Sequence, residues 1–262
     1  MLGVTVSNLS VAYGSHNVLK GLDFEAKPGE MTILIGPNGC GKSTFLKTLA
    51  RVIAPSSGQV MLNDENVHLS PTAAIARKLA FLPQGPIAPE GLSVHELVSQ
   101  GRFPHQSFLR QWSKEDEIAV SRALKMTRLD DCASLLVSHL SGGQRQRCWI
   151  AMILAQSTPI ILLDEPATFL DLKIQVELMT LLKGIAHQDK KTILIVMHDL
   201  NIAAAFADHM AMMRAGEIVA KGSVNDVFTS EQLHTVFDLD ARILIDPTSK
   251  RPICVPNICS AQ

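Results

Sequence analysis

No stretch of this 262-residue chain approaches the run of about 18 to 20 apolar residues that a membrane-spanning helix requires, although 47% of its residues are hydrophobic. That apolar content is directed instead into a globular core, and the chain is long enough for a sizeable one. The opening residues, Met1-Leu2-Gly3-Val4-Thr5-Val6, place no basic segment ahead of an apolar one. No secretion signal is therefore expected, and the protein is expected to stay in the cytoplasm and meet a membrane only through a partner. Net charge is equally scarce: 24 Lys and Arg oppose 25 Asp and Glu, for a formal charge of −1. That leaves no general attraction for nucleic acid, and a short cluster such as Arg145-Gln146-Arg147 reads as a solvated helix face. The five cysteines, at 40, 132, 148, 254 and 259, show no Cys-x-x-Cys spacing. Their odd number and scatter fit a reducing compartment. Cys254 and Cys259 have no histidine or further cysteine nearby to complete a metal site, so they are assigned to packing.

What is present is punctuated by glycine. Gly36-Pro37-Asn38-Gly39-Cys40-Gly41-Lys42-Ser43-Thr44 follows the apolar run Met31 to Ile35 and opens a helical pattern. Strand, loop and helix in that order form a phosphate-binding loop. Its glycines let successive N–H groups turn inward around a triphosphate, Lys42 reaches the terminal phosphates, and the Ser43 hydroxyl can ligate Mg²⁺. Cys40 lies inside this loop at a helix N-terminus, where backbone dipoles are expected to lower its pKa and raise its reactivity.

The loop alone leaves a kinase, a GTPase, a helicase and a transport ATPase open. A second anion site narrows the choice. Leu140-Ser141-Gly142-Gly143-Gln144 stands before an apolar helical run, Cys148 to Ala155. Ser-Gly-Gly at a helix start offers a hydroxyl and free N–H groups at the positive end of the helix dipole. One nucleotide needs only one phosphate loop, so a second phosphate-reading helix terminus points to two copies sandwiching ATP. Ile160 to Leu163 ends in Asp164 and Glu165, two acids that are costly at the end of a buried strand unless a cation neutralises them. His198 follows the apolar run Thr192 to Met197 and could either act at a site or cap the next helix.

The pattern along the chain is α/β. Val4 to Lys27 alternates with period two, an antiparallel sheet with one wet face, whereas Met31–Ile35, Ile160–Leu163 and Thr192–Met197 are continuously apolar, as parallel strands buried on both faces are. Between Gln84 and Leu140 the pattern turns helical: Ser93 and Glu96 form a capping box with Gly101 as the C-terminal stop, and Ser113 precedes the acids Glu115, Asp116 and Glu117. Ala241 to Pro256 reads as a hairpin about an Asp246-Pro247-Thr248-Ser249 turn. One domain, 1–262, is expected, with an antiparallel part at about 1–30, a core at 31–84 and 141–235, a helical subdomain at 85–140 and a tail at 236–262.

These motifs, in this order, resemble the nucleotide-binding subunit of ATP-binding cassette transporters, over nearly the whole chain. The resemblance implies a P-loop NTPase with a RecA-like parallel core, an N-terminal antiparallel β subdomain and an inserted helical subdomain. It implies ATP and Mg²⁺ as ligands, with Asp164 holding the metal and Glu165 polarising the attacking water. Gln84 resembles the glutamine that senses Mg²⁺ and the transmembrane partner, and His198 the histidine that contacts the terminal phosphate. Asp171, in Leu170-Asp171, resembles the aspartate that crosses a dimer interface, and Tyr13, the single tyrosine, the aromatic that stacks on adenine. Ala167 departs from the family, which often has a hydroxyl there.

The absence of a span also resembles bacterial importer subunits, which act as homodimers beneath a polytopic permease fed by a periplasmic binding protein, at the cytoplasmic face of the inner membrane. Cys40, Gly101-Arg102-Phe103-Pro104-His105, Leu140 to Gln156 and Phe169 are similar to subunits that energise ferric-siderophore uptake, and less closely to those for haem or vitamin B12. A cassette ATPase outside transport is the remaining alternative, although neither a coiled-coil insertion nor a second cassette is present.

Overall fold

The computed structural model describes residues 2–106, 112–168 and 170–257. β1 (Val4–Tyr13) and β2 (His16–Ala26) form an antiparallel ribbon in which Val4 faces Ala26 and Val6 faces Phe24. β3 (Met31–Ile35) and α1 (Lys42–Leu49) follow, then β4 (Ser57–Leu62), β5 (Glu65–Asn66), α2 (Thr72–Ala76) and β6 (Leu79–Leu82). β4 and β5 belong to the segment assigned above to the core, yet they complete the first sheet, whose order is β2-β1-β4-β5. The reason is pairing that composition does not reveal: Val4, Val6 and Leu9 of β1 and Val60 and Leu62 of β4 share one buried cluster.

A helical lobe comes next, built from α3 (Val94–Ser99), a 3₁₀ turn Gln100–His105, α4 (Lys114–Met126) and α5 (Gly142–Ala155). Each α-helix starts with a reciprocal capping box, Ser93 with Glu96, Ser113 with Asp116 and Ser141 with Gln144. Gly101 is not the stop expected of it. The backbone continues past it as the 3₁₀ turn, and Gly101 is buried where a Cβ would come within 3.0 Å of the Met152 carbonyl oxygen on α5. Arg102 ties the lobe together from the inside, its Nε donating to Asp116 Oδ1 at 2.8 Å and its Nη1 to the Ala155 carbonyl at 2.7 Å, with both side chains buried.

The remaining chain supplies β7 (Ile160–Asp164), α6 (Leu172–Gln188), β8 (Thr192–Val196), α7 (Leu200–Phe206), β9 (His209–Arg214), β10 (Glu217–Ser223), α8 (Val224–Val227), α9 (Ser230–Phe237) and the hairpin β11 (Ala241–Ile245) with β12 (Pro252–Pro256). The second sheet runs β10-β9-β3-β8-β7-β6, parallel from β9 to β6. Every residue of β3, β7 and β8 is buried, because both faces are covered. Ile33, Ile161, Leu163 and Ile195 turn toward the helical side. Leu34, Leu162, Leu194 and Val196 turn toward α1 and the antiparallel sheet. Among the described residues, no helix is long and apolar enough to cross a membrane.

Candidate active site

Adjacent parallel strands end side by side, so the residues that follow them converge at the carboxyl edge of the sheet. β3 leads into the phosphate loop, β8 into His198, β7 into Asp164 and Glu165, and β6 into Gln84. The loop is shaped by glycine where nothing else fits. A Cβ on Gly36 would come within 3.0 Å of the Met213 carbonyl oxygen, and Gly41, at φ 108°, ends the loop at α1 with no side-chain cap on the helix. The first-turn N–H groups of α1 are thus left for an anion. Lys42 Nζ donates to the carbonyls of Gly36 at 2.8 Å and Pro37 at 2.9 Å. Burial lowers the pKa of its ammonium, and the neighbouring Cys40, Glu165 and Asp164 oppose that shift.

Asp164, the last residue of β7, is 1% exposed. Its Oδ1 accepts from Ser43 Oγ at 3.0 Å, while its Oδ2 is buried without a hydrogen-bond partner. Burial raises the carboxyl above the usual carboxylate range, as does the charge of Glu165, against the Ser43 hydrogen bond and the charges of Lys47 and Lys42. A buried, orphaned carboxylate oxygen beside a serine hydroxyl is a donor set that fits a small divalent cation. Among the described residues, no group of three or more His, Cys, Asp and Glu could hold a metal unaided, so such a cation would draw further ligands from phosphate or water.

Glu165 stands on a left-handed backbone, φ 53°, its N–H donating to the Val196 carbonyl at 3.1 Å. That turn aims the carboxylate back over the sheet edge. Oε2 accepts from Gln84 Nε2 at 2.7 Å and from Thr168 Oγ1 at 3.1 Å, and Oε1 pairs with His198 Nε2. His198 does not cap α7; Asp199 does, accepting from the Ile202 N–H at 2.9 Å. Asn38, Gly39, Gly41, Lys42, Ser43, Thr44, Gln84, Glu165 and His198 line one cavity of about 500 Å³, together with Val18 and Thr168. The sequence reading had not singled out those last two.

Other expected residues lie outside that cavity. Tyr13 is exposed at the end of β1. Ser141 and Gln144 are engaged in their own capping box, with Gly142 and Gly143 in the first turn of α5. Asp171 caps α6, accepting from the Ile174 N–H at 3.0 Å. Arg147, expected on a solvated face, is half-buried and paired with Glu177 of α6. Cys40 requires a correction. Its side chain is 5% exposed, its Sγ packs toward Gly36 and lies 4.0 Å from Lys42 Nζ, and burial pushes its thiol up in pKa more than the Lys42 charge draws it down. Backbone N–H groups of Lys42 and Cys40 do favour the thiolate, as expected of a helix N-terminus, but the thiol sits in the buried cluster and the cost of burial outweighs them. Phe169 and Cys259 lie outside the described residues.

Residues 19–168 match the ABC transporter family. This chain belongs to that family. It is 48% identical to the achromobactin transport ATP-binding protein CbrD of Dickeya dadantii (strain 3937), across 98% of this chain and 95% of that one. It is 47% identical to the probable siderophore transport system ATP-binding protein YusV of Bacillus subtilis (strain 168), across 98% and 94%. A solved chain from an inward-facing conformation assigned to a metal-chelate type ABC transporter superposes with a TM-score of 0.85 at 28% identity, covering 98% of each chain. The fold is the P-loop NTPase cassette with a β subdomain and a helical insert, and the chain is an ATP-binding, ATP-hydrolysing member of its family.

Proposed function

We propose that this chain energises the uptake of an iron chelate, a ferric siderophore, from the cytoplasmic face of a bacterial inner membrane, as one of two identical subunits beneath a polytopic permease fed by a periplasmic binding protein. The relatives named for siderophore and achromobactin transport support the cargo. The observation that carries the chemistry is the single cavity holding Lys42, Ser43, Gln84, Glu165 and His198, with Asp164 hydrogen-bonded to Ser43 at its wall.

In this reading the loop N–H groups from Gly36 to Thr44 and the Lys42 ammonium bind the triphosphate, and Tyr13 stacks on adenine. Ser43, Asp164 and Gln84 hold Mg²⁺, which when bound neutralises charge on the phosphate oxygens. Glu165 orients and deprotonates the attacking water, and His198 donates to the terminal phosphate. Ser141 to Gln144 do not line the Lys42 cavity, so the phosphate they read belongs to a second copy, with Asp171 at the shared boundary. ATP binding closes the pair and hydrolysis reopens it. Gln84 and the helical lobe transmit that motion to the permease.

Two variants separate catalysis from binding. Glu165→Gln keeps size and removes the charge, so turnover falls by about 10² to 10⁴ while ATP still binds and the closed dimer accumulates. Lys42→Ala weakens nucleotide binding itself. A phosphate-release assay with size-exclusion chromatography in Mg-ATP reads both, and a normal rate for Glu165→Gln defeats the assignment. Co-purification with the permease and parallel uptake of labelled ferric siderophore, haem and cobalamin tests the cargo.

A further inference from the structure

Among the described residues Glu165 has three side-chain partners at its carboxylate, and two of them belong to residues with other work to do. Gln84 arrives from the end of β6 and His198 from the end of β8, and both line the cavity that receives the phosphates. The third donor lines the cavity too, but the chain itself ties it to Glu165. Thr168 lies three residues beyond Glu165 in the same turn, its N–H donating to the Glu165 carbonyl at 3.4 Å and its Oγ1 to the Glu165 carboxylate at 3.1 Å. The turn is itself anchored from α6, where Gln175 Nε2 donates to the carbonyls of Ala167 at 3.3 Å and Leu170 at 3.0 Å. Thr168 therefore travels with Glu165, whatever Gln84 and His198 do.

The geometry points to Thr168 as the positioning residue that keeps the Glu165 carboxylate aimed when Gln84 and His198 turn to the nucleotide. This rests on the reading of Glu165 as the carboxylate that activates water. The physical need is set by the backbone. Glu165 occupies a left-handed conformation that a non-glycine residue adopts only when its surroundings hold it there. A carboxylate on such a turn, with two of its three donors withdrawn, would be free to change rotamer, and a misplaced base loses rate without losing substrate. A hydroxyl donating to one oxygen leaves the other free to accept the proton of water. Thr168 lines the same cavity, but its hydroxyl proton is given to Glu165, so its effect in this role falls on the chemical step through Glu165.

The test uses the full-length protein with its permease. Thr168→Val keeps the branched shape and removes the donor, whereas Thr168→Ser keeps the donor and removes the methyl. The expected result for Thr168→Val is a kcat lower by about ten- to a hundredfold, the range for one hydrogen bond to a charged group, with KM and directly measured ATP affinity unchanged. On the protein without its permease, Mg-ATP should then trap the dimer on size-exclusion chromatography, the outcome also expected for Glu165→Gln. Thr168→Ser should restore most of the rate. In the Glu165→Gln background, Thr168→Val should cost nothing further, since a residue acting through Glu165 has nothing left to position. A normal kcat for Thr168→Val overturns the proposal, as does an undiminished loss in the Glu165→Gln background. Weaker ATP binding, a lower melting temperature and no rescue by serine would mark Thr168 as merely structural and overturn it too. A normal rate for Glu165→Gln alone would instead overturn the underlying reading of Glu165.

Discussion

Gly101 and Met152 meet with no room between them: a Cβ on the glycine would come within 3.0 Å of the methionine carbonyl oxygen. The 3₁₀ turn at Gln100–His105 thereby lies directly on α5, the helix whose first turn carries Ser141 to Gln144. Gly101→Ala has to push these two backbones apart, at the cost of about 1–3 kcal/mol that overpacking usually carries. Urea unfolding should show that loss at neutral pH, and an unchanged midpoint would mean that the contact relaxes freely.

Arg102 and Asp116 form a buried pair in the same lobe, 2.8 Å apart. Removing one partner leaves a buried charge unpaired, so Arg102→Leu should destabilise the protein by about 3–5 kcal/mol. The double variant Arg102→Leu with Asp116→Leu should recover most of that loss. If the double variant is as unstable as the single one, the pair is not what holds the lobe.

Acid should loosen the same element. Burial works to raise the Asp116 carboxyl, but hydrogen bonds from Arg102 and Ser113 and the Arg102 charge outweigh it and hold the group below the usual range. Asp208 behaves alike, with the Met31 N–H, His187 and Lys183 outweighing its burial. A depressed carboxyl contributes stability that is complete above the unfolded value of about 3.9 and is lost as pH falls through the folded value. Thermal midpoints measured from pH 6 down to pH 3 should fall steeply, and less steeply in the Leu-Leu double variant. Equal slopes would remove Asp116 from the explanation.

Asp164 has the opposite sign. Its folded carboxyl is raised, so the stability it contributes is present below the unfolded value and lost as pH rises through the folded one. At neutral pH the ionised group is a burden on the nucleotide-free protein. Asp164→Asn should therefore raise the melting temperature without nucleotide by a few degrees, about what 1 kcal/mol gives in a chain of this size, while Mg-ATP no longer raises it further. A lower melting temperature without nucleotide would contradict this.

The Cys40 thiol should be inert in the folded state. Maleimide labelling followed by peptide mass mapping should modify Cys40 no faster than the buried Cys148, whose pKa burial pushes up to about 12. Rapid labelling of Cys40 in native protein would restore the accessible-thiol reading.

Where local chemistry governs, the sequence was legible. The apolar runs at β3, β7 and β8 and the three serine-headed helices stand in the structure as buried strands and capping boxes, because burial on both faces and reciprocal capping leave marks on neighbouring residues. β9 holds an apolar run of its own, Met210 to Met213, but it is rich in methionine and not in β-branched residues, and β6 is only four residues long. The expectations that failed were local explanations for tertiary facts. Gly101 looked like a helix stop because its real constraint, α5, lies some fifty residues away. The dipole argument for Cys40 could not see that the thiol is buried, which outweighs the backbone N–H groups that favour its thiolate. Thr168 was passed over because a hydroxyl in a loop has no periodicity to betray it, and only the left-handed turn at Glu165 brings it to the carboxylate.

Strand order also sets a timetable. Among the described residues β3 pairs with β8 and β9 alone, and the nearer of these begins at Thr192. A ribosome adding about 5–20 residues per second leaves β3 waiting roughly 8 to 30 seconds for its first neighbour. Until then the phosphate loop emerges on an unpaired apolar strand whose edges are open to any other chain. A nascent cassette therefore acquires its grip on nucleotide near the end of its synthesis, and a chain cut short before residue 192 carries the nucleotide-binding motif without the sheet that gives it shape.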